Sequence, residues 1–522
     1  MIRWWWRRAP AILAPLAPAA LALARVGGGH AFSGGHSFGG GHFSGGHSFG
    51  GHVSYGGGGG NGDLLFLLVW LLAGHPLVGI PLLLIVAGVL VASKGRGFSA
   101  GRDWSASGGL GSDGDLDDGG VVPDDLQPDA PAPVPGVRRQ VAGLRSLDAH
   151  FSIVLFEDFL YALYEEVHRA RAAGTIDRLA PYLADPARAT LAALDQPAKV
   201  DGVIVGGLHF LSVSALPQAP KVGVKVRFET NYTEQGADGK RQTYYAVEIW
   251  DLVRARNARS RPPEQTRVFT CPCCGGPLAD VVAGRCSYCG NEVTTGAFDW
   301  LVESIQILER EARAPLLFSD AGTEVAPLPT RVAPGAADRL RALQARDPAF
   351  AFEGFEARVN LVFLELQAAW SERDWKRARP FTSDRLFEDW SHWIELYQRE
   401  RVRNAIERPH ISRVDLADVE SDAYFDSITV RLHATAIDYT INDAGKRLSG
   451  DRSHERPFWE YWTLIRGVAV QGAASAEKKC PQCGAELSIN MAGQCEYCKA
   501  EVTSGAFDWV LSRIEQDEAY DG

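Results

Sequence analysis

Eight of the nine cysteines fall into two groups with one spacing. Cys271 and Cys274 frame a C-x-x-C knuckle, and after eleven residues Cys286 and Cys289 frame another; Cys480 and Cys483 are followed after eleven by Cys495 and Cys498. Two such knuckles bring four thiolates around one ion, and tetrahedral sulfur coordination is what zinc accepts in closed structural sites. The expected cofactor is zinc, as two structural ions per chain; a rubredoxin-like iron site uses similar knuckles and stands as the alternative. With four thiolates bound, no coordination position is left for a reactive water, which argues against hydrolytic chemistry. The groups share one register, 209 residues apart, in which Gly275 matches Gly484, Tyr288 matches Tyr497 and Trp300 matches Trp509. A repeat that holds register across both knuckles and beyond is duplication rather than chance. It also sets Cys273 against Gln482, so Cys273 is the non-ligand.

Other reactive side chains are sparser. His209, His433 and Asp438 sit among apolar neighbours and are the candidates for proton transfer, which needs an acid or base inside an apolar pocket. No nucleophile motif, phosphate-cradling loop or metal-hydrolase motif accompanies them, so the chain is not expected to be an enzyme. An enzyme acting on a small apolar metabolite is the alternative. Trp370, Trp375, Trp459 and Trp462 are the candidates to line a ligand pocket, the competing reading being that they fill a core. Arg254, Arg256, Arg259, Arg261 and Arg267 form a basic loop able to touch anionic lipid or simply to be solvated. Lys478, Lys479 and Lys499 flank the second cysteine group but are offset by Glu477, Glu486, Glu496 and Glu501. With 53 basic against 64 acidic residues in the chain, no nucleic-acid partner is expected.

The elements that must carry these groups follow from periodicity. After each cysteine group comes Gly-Ala-Phe-Asp-Trp and then apolar residues at spacings of three and four: Phe298, Leu301, Val302 and Ile305, and again Phe507, Val510, Leu511 and Ile514. That spacing predicts a short amphipathic helix behind each ribbon. Ahead of each ribbon lie two larger units. In the second, Phe352, Phe355, Val359, Phe363, Leu366 and Trp370 keep helical spacing, as do residues 386–398; from Val414 the pattern alternates, with Ile428, Val430 and Leu432 on one side and Thr429 and Arg431 on the other. Helices first and strands after predict an α+β domain with helices on one face of a curved antiparallel sheet.

The first hundred residues have a different composition. Arg3, Arg7 and Arg8, an apolar run and a small-x-small end predict a signal peptide at 1–24. Residues 27–62 hold 18 glycines with five regularly spaced histidines, a composition that predicts disorder and offers weak metal binding. Leu64 to Ala92 is long and apolar enough for one membrane-spanning helix. Asp63 before it and Lys94, Arg96 and Arg102 after it put the C-terminal side in the cytoplasm by the positive-inside rule. Residues 103–137 then carry eight aspartates and no basic residue, an extended standoff.

Residues 347–467 carry a resemblance. DPAFAFEGFEARVNLVFLELQAAWSERDWKRARPFTSDRL, then SITVRL, IDY, SGDR and FWEYWTLIR, resembles the domain of the 44-kDa subunit of the mitochondrial inner-membrane import translocase and its bacterial relatives. The resemblance implies a nuclear transport factor 2-like cone, a bent sheet wrapped by helices around an apolar pocket. It implies, too, a membrane-side adaptor that recruits chaperone or translocation machinery. Residues 148–270 match more loosely: Asp148-Ala-His-Phe151 parallels Asp347-Pro-Ala-Phe350, and the run Glu248 to Arg254 parallels Glu460 to Arg466.

The expected organisation is a signal peptide at 1–24, a Gly/His/Ser/Phe-rich segment at 25–62, a transmembrane helix at 63–93 and an acidic linker at 94–146. A first, divergent domain at 147–270 with a ribbon and helix at 271–312 follows, then a linker at 313–345, a second domain at 346–470 and a ribbon and helix at 478–522. The expected function is that of a membrane-anchored adaptor presenting two cones to a protein, or to a lipid or apolar ligand, with a link to protein transport or membrane assembly. Metal handling by the His-rich segment is a further alternative. The expected location is the inner membrane of a bacterial cell, with the large C-terminal part cytoplasmic.

Overall fold

In a computed structural model, residues 136–522 are described apart from 314, 316, 318–327, 518 and 521. The expected signal peptide, His-rich segment and membrane span, and the acidic linker up to residue 135, lie outside the described residues. Among the described residues no helix is long and apolar enough to cross a membrane.

The alternation of apolar and polar residues produces long strands, and their bulges bend them. In the first half β1 (Lys199–Ser214), β2 (Lys221–Gln235), β3 (Arg241–Ala255) and β4 (Leu301–Glu311) form an antiparallel sheet in that order. In the second half β5 (Val402–Ser421), β6 (Phe425–Asn442), β8 (Arg456–Gly467) and β9 (Val510–Gln516) do the same, and the short β7 (Arg447–Gly450) pairs with β6. β1 slips register after Asp201, Val205 and Phe210, and β5 after Glu407, Ile411 and Leu416. Each slip adds local twist and bend, so both first strands curve the sheet over a helix.

Those helices are α2 (Ile153–Ala172) and α5 (Phe352–Glu372), preceded by α1 (Val137–Ala142) and α4 (Ala336–Arg346) and followed by α3 (Asp185–Ala192) and α6 (Asp384–Arg399). α2 starts where the Ser152 hydroxyl accepts the Leu155 amide at 3.3 Å, and α6 starts at Ser383 in the same way, each cap satisfying a free helical N–H. The inner sheet face is apolar as its alternation requires: Ile428, Val430 and Leu432 are buried with Phe355, Val359, Phe363 and Leu366, and Val222, Val224, Val226 and Phe228 with Phe156, Leu160 and Leu163.

Three expectations need correction. The residues after each ribbon form a strand, not a helix: Leu301–Glu311 closes the first sheet and Val510–Gln516 the second. The misleading spacing of three comes from a bulge. Ser304 pairs with Asp251 and Val302 with Leu252, so Glu303 is the extra residue; Ser512 plays that part between Leu511 and Arg513. A bulge shifts the parity of a strand, so Val302 and Ile305 both point inward. The second correction is topological: each ribbon is inserted before the last strand of its sheet instead of following a finished domain. Third, the ends of both expected linkers are helical. Val137, Val141 and Ala142 give α1 a buried stripe, and Ala336 and Leu343 give one to α4.

The two halves pack against each other within one compact unit. Ile465 and Val510 join the first core, and Ile204, Tyr245 and Val247 join the second. Around these contacts Glu157 of α2 bonds Arg138 at 2.8 Å and Arg513 of β9 at 3.1 Å, and Asp158 pairs with Arg385 of α6 at 3.3 Å.

Candidate metal centres and sheet-face groove

Each expected cysteine set converges. The sulfurs of Cys271, Cys274, Cys286 and Cys289 lie within 4.8 Å of one another, as do those of Cys480, Cys483, Cys495 and Cys498. The closer pairs are Cys271–Cys289 at 4.0 Å, Cys274–Cys286 at 3.8 Å and Cys480–Cys498 at 3.8 Å. A tetrahedral site with metal–sulfur bonds of about 2.3 Å has an edge of about 3.8 Å, so both sets fit one ion each. Local backbone makes the fit. The amide four residues after each knuckle's first cysteine turns back on it: Gly275 to Cys271, Gly290 to Cys286, Gly484 to Cys480 and Lys499 to Cys495. All four turning residues have positive φ, a conformation natural to glycine and strained for Lys499 at 63°. Such closed sets would hold zinc structurally, giving shape to a segment with little apolar core.

A buried quartet fixes the strand that leaves each ribbon. Arg254 donates to Asp148 at 3.1 Å and lies over Trp300 at 4.8 Å; Arg466 donates to Asp347 at 2.9 Å and lies over Trp509 at 4.7 Å. Phe151 and Phe350 complete the two sets at 5.5 and 5.6 Å from the guanidinium carbons. The signal for this quartet lies in the parallels Asp148/Asp347, Arg254/Arg466 and Trp300/Trp509; periodicity does not connect them, since they sit on three distant segments. The second ribbon is further clasped by Arg379, which donates to the Met491 carbonyl at 2.9 Å, and by the Thr503 hydroxyl, which donates to Asp384 at 3.1 Å.

The four candidate pocket tryptophans do not meet around one cavity. Trp370 and Trp462 are buried, their indole N–H groups donating to Asn404 at 3.0 Å and Glu460 at 2.9 Å. Together with Trp390 and Trp509 they fill the inner face. Trp375 packs at its margin against Phe387. Trp459 and Trp462 are three apart on β8, so alternation puts them on opposite faces. Trp459 therefore lines a groove of about 620 Å³ on the outer face with Arg413, Arg431, His433, Thr435 and Pro457.

The acid–base candidates are engaged. His433 accepts the Trp459 indole N–H on Nδ1 at 3.1 Å, and its Nε2 lies 2.8 Å from Asp415. Burial opposes ionisation of Asp415, but the hydrogen bonds of Thr330, His433 and Arg413 hold its carboxyl below the usual range. Asp438 accepts the Asn404 amide at 2.6 Å, and burial pushes the His209 imidazole down to about 4. The basic loop is an internal staple for the most part: Arg256 donates to the carbonyls of Ala215 and Leu216, Arg261 pairs with Asp299 and Arg267 with Glu388.

One buried polar cluster escapes sequence reading. In the first core the Tyr164 hydroxyl donates to Glu248 at 2.9 Å and lies 2.9 Å from Thr230, while Trp250 donates to Glu248 at 2.8 Å. Burial pushes the Glu248 carboxyl up against those donors, and holds the adjacent His168 imidazole well below its ordinary range. Single polar residues spread over α2 and two strands give no pattern by which to find them.

Residues 336–474 match the family model described as the Tim44-like domain. The match runs from the first residue of α4 past the end of β8, and stops short of the second ribbon and β9. A search of curated proteins returns no match.

Proposed function

We propose that this chain is a membrane-anchored adaptor whose two cone-like halves, each knotted by a zinc ribbon, bind protein partners through their outer surfaces. The observation that carries the reading is the Tim44-like match at 336–474, taken with an inner face filled by Trp370, Trp390, Trp462 and Trp509. A filled interior favours recognition on the outside over an enclosed apolar ligand. Residues 63–93 supply the anchor and the aspartate-rich segment the standoff, with the described part on the cytoplasmic face of a bacterial inner membrane. The outer groove, with its exposed Arg413 and half-buried Trp459, is one surface of the right chemistry, since tryptophan and arginine are enriched at binding hot spots. Protein transport or membrane assembly is the process such an adaptor serves.

The test is affinity purification of the full chain from detergent, against a control carrying residues 1–135 alone. A partner enriched over the control, and lost on changing Arg413 and Trp459 to alanine, is the expected result; no partner above the control refutes the adaptor reading. Elemental analysis is expected to find about two zinc ions per chain, one per cysteine set. Iron in their place, or no metal, refutes the zinc assignment.

A further inference from the structure

The two metal centres differ at a pair of positions that touch each other. In the first ribbon Cys273 packs against the ligand cluster and contacts Cys289. Its sulfur accepts a hydrogen bond from the Asn291 side-chain amide at 3.1 Å and remains partly open to solvent. In the common register of the ribbons these positions are Gln482 and Ala500 in the second. A fifth sulfur held beside a ligand, and the amide that holds it, are thus both present in one copy and both missing from the other.

We propose that Cys273 is a redox-modification site through which a hydroperoxide releases the metal of the first ribbon, leaving the second intact. The inference rests on the reading of the cysteine sets as zinc sites. Cys273 sulfur attacks the hydroperoxide; the O–O bond breaks, an S–O bond forms, and the thiol proton leaves with the alcohol or water. The Cys289 sulfur, which would be one of the four holding a metal, then attacks the oxidised sulfur, forming S–S and breaking S–O, and the departing hydroxide takes a proton to become water. Two electrons pass from the two sulfurs to the peroxide. Cys271, Cys274 and Cys286 remain as a three-sulfur set, from which zinc is lost more readily because metal binding and ribbon folding are coupled. The strand that follows, β4, then loses its fixed entry into the sheet.

The experiment uses the full chain in detergent with its zinc counted first; protein with no zinc refutes the metal assignment itself. Limited hydrogen peroxide is added with a colorimetric chelator, and disulfides are mapped by mass spectrometry without reduction. The expected result is release of one of the two zinc ions with a Cys273–Cys289 disulfide, reversed by dithiothreitol and added zinc. Cys273→Gln should keep both ions at the same peroxide dose, and Q482C together with A500N should make the second ion labile as well. Equal release from wild type and Cys273→Gln, or loss of both wild-type ions together, overturns the proposal.

Discussion

Removing the carboxylate of Asp148 should destabilise the described unit by about 3–5 kcal/mol, the usual consequence of leaving half of a buried ion pair behind. Both side chains of the Asp148–Arg254 pair are 2% exposed. Asp148 also accepts the Ser260 amide at 2.7 Å, the Ser260 hydroxyl at 2.8 Å and the His150 amide at 3.1 Å. In Asp148→Ala the guanidinium of Arg254 keeps its stacking on Trp300 and its bond to Ser260, but it loses its hydrogen-bonded counter-ion and is left only the more distant Asp299, which is already paired with Arg261. At a denaturation slope of about 3 kcal/mol per molar urea, that loss moves the midpoint down by about 1 to 2 M. Tryptophan fluorescence reports it directly, because Trp300 lies under the guanidinium. Asp148→Asn combined with Arg254→Met should recover most of the loss, since replacing both partners removes the stranded charge. The acid side has a definite sign. Burial works against ionisation of Asp148, but Ser260 and Arg254 outweigh it and hold the carboxyl below its ordinary value. Its contribution is therefore complete above an unfolded pKa of about 3.9 and is lost as pH falls through the lower folded value. A shift in the Asp148→Ala midpoint of less than about 0.3 M, equivalent to about 1 kcal/mol on the same slope, would refute the reasoning.

Other outcomes follow from the same geometry. Lys499→Gly should stabilise the second ribbon by about 0.5–1 kcal/mol, because an L-residue at positive φ costs about 1–2 kcal/mol and glycine returns part of that as unfolded-chain entropy. Slower zinc loss to a chelator checks it, and the reverse change Gly290→Lys should speed loss from the first. At the seam between the halves, burial raises Asp158 to about 6 and Asp389 to about 7, against the opposing pull of Arg385. Their neutral forms are favoured by folding, so this contribution is full below an unfolded value of about 3.9 and is lost as pH rises through 6 to 7. Asp158→Asn with Asp389→Asn should flatten the thermal-stability profile between pH 5 and 8, and an unchanged profile refutes the assignment.

The cysteine sets were legible because ligand spacing maps directly onto coordination geometry, with no need for the rest of the fold. The inward triad Ile428, Val430 and Leu432 was legible for a similar reason, since the period of a strand is local. The strands behind the ribbons were not, because one extra residue, Glu303 or Ser512, turns a period of two into an apparent spacing of three. Trp370 and Trp462 could not be told from pocket residues by type, since an indole serves a wall or a core equally well until its neighbours are known. The seam between the halves was hidden altogether: Glu157 and Arg513 are 356 residues apart, and nothing near either one announces the other.

The insertion of each ribbon ahead of the final strand ties completion of the sheet to the folding of the ribbon. A chain stopped at residue 474, where the family match ends, contains every helix of the second half but lacks β9, and with it Trp509 beneath Arg466. Such a fragment would expose the edge of β8 and leave part of its core open. The shortest piece that carries the whole second sheet therefore runs on through Cys498 to the end of β9.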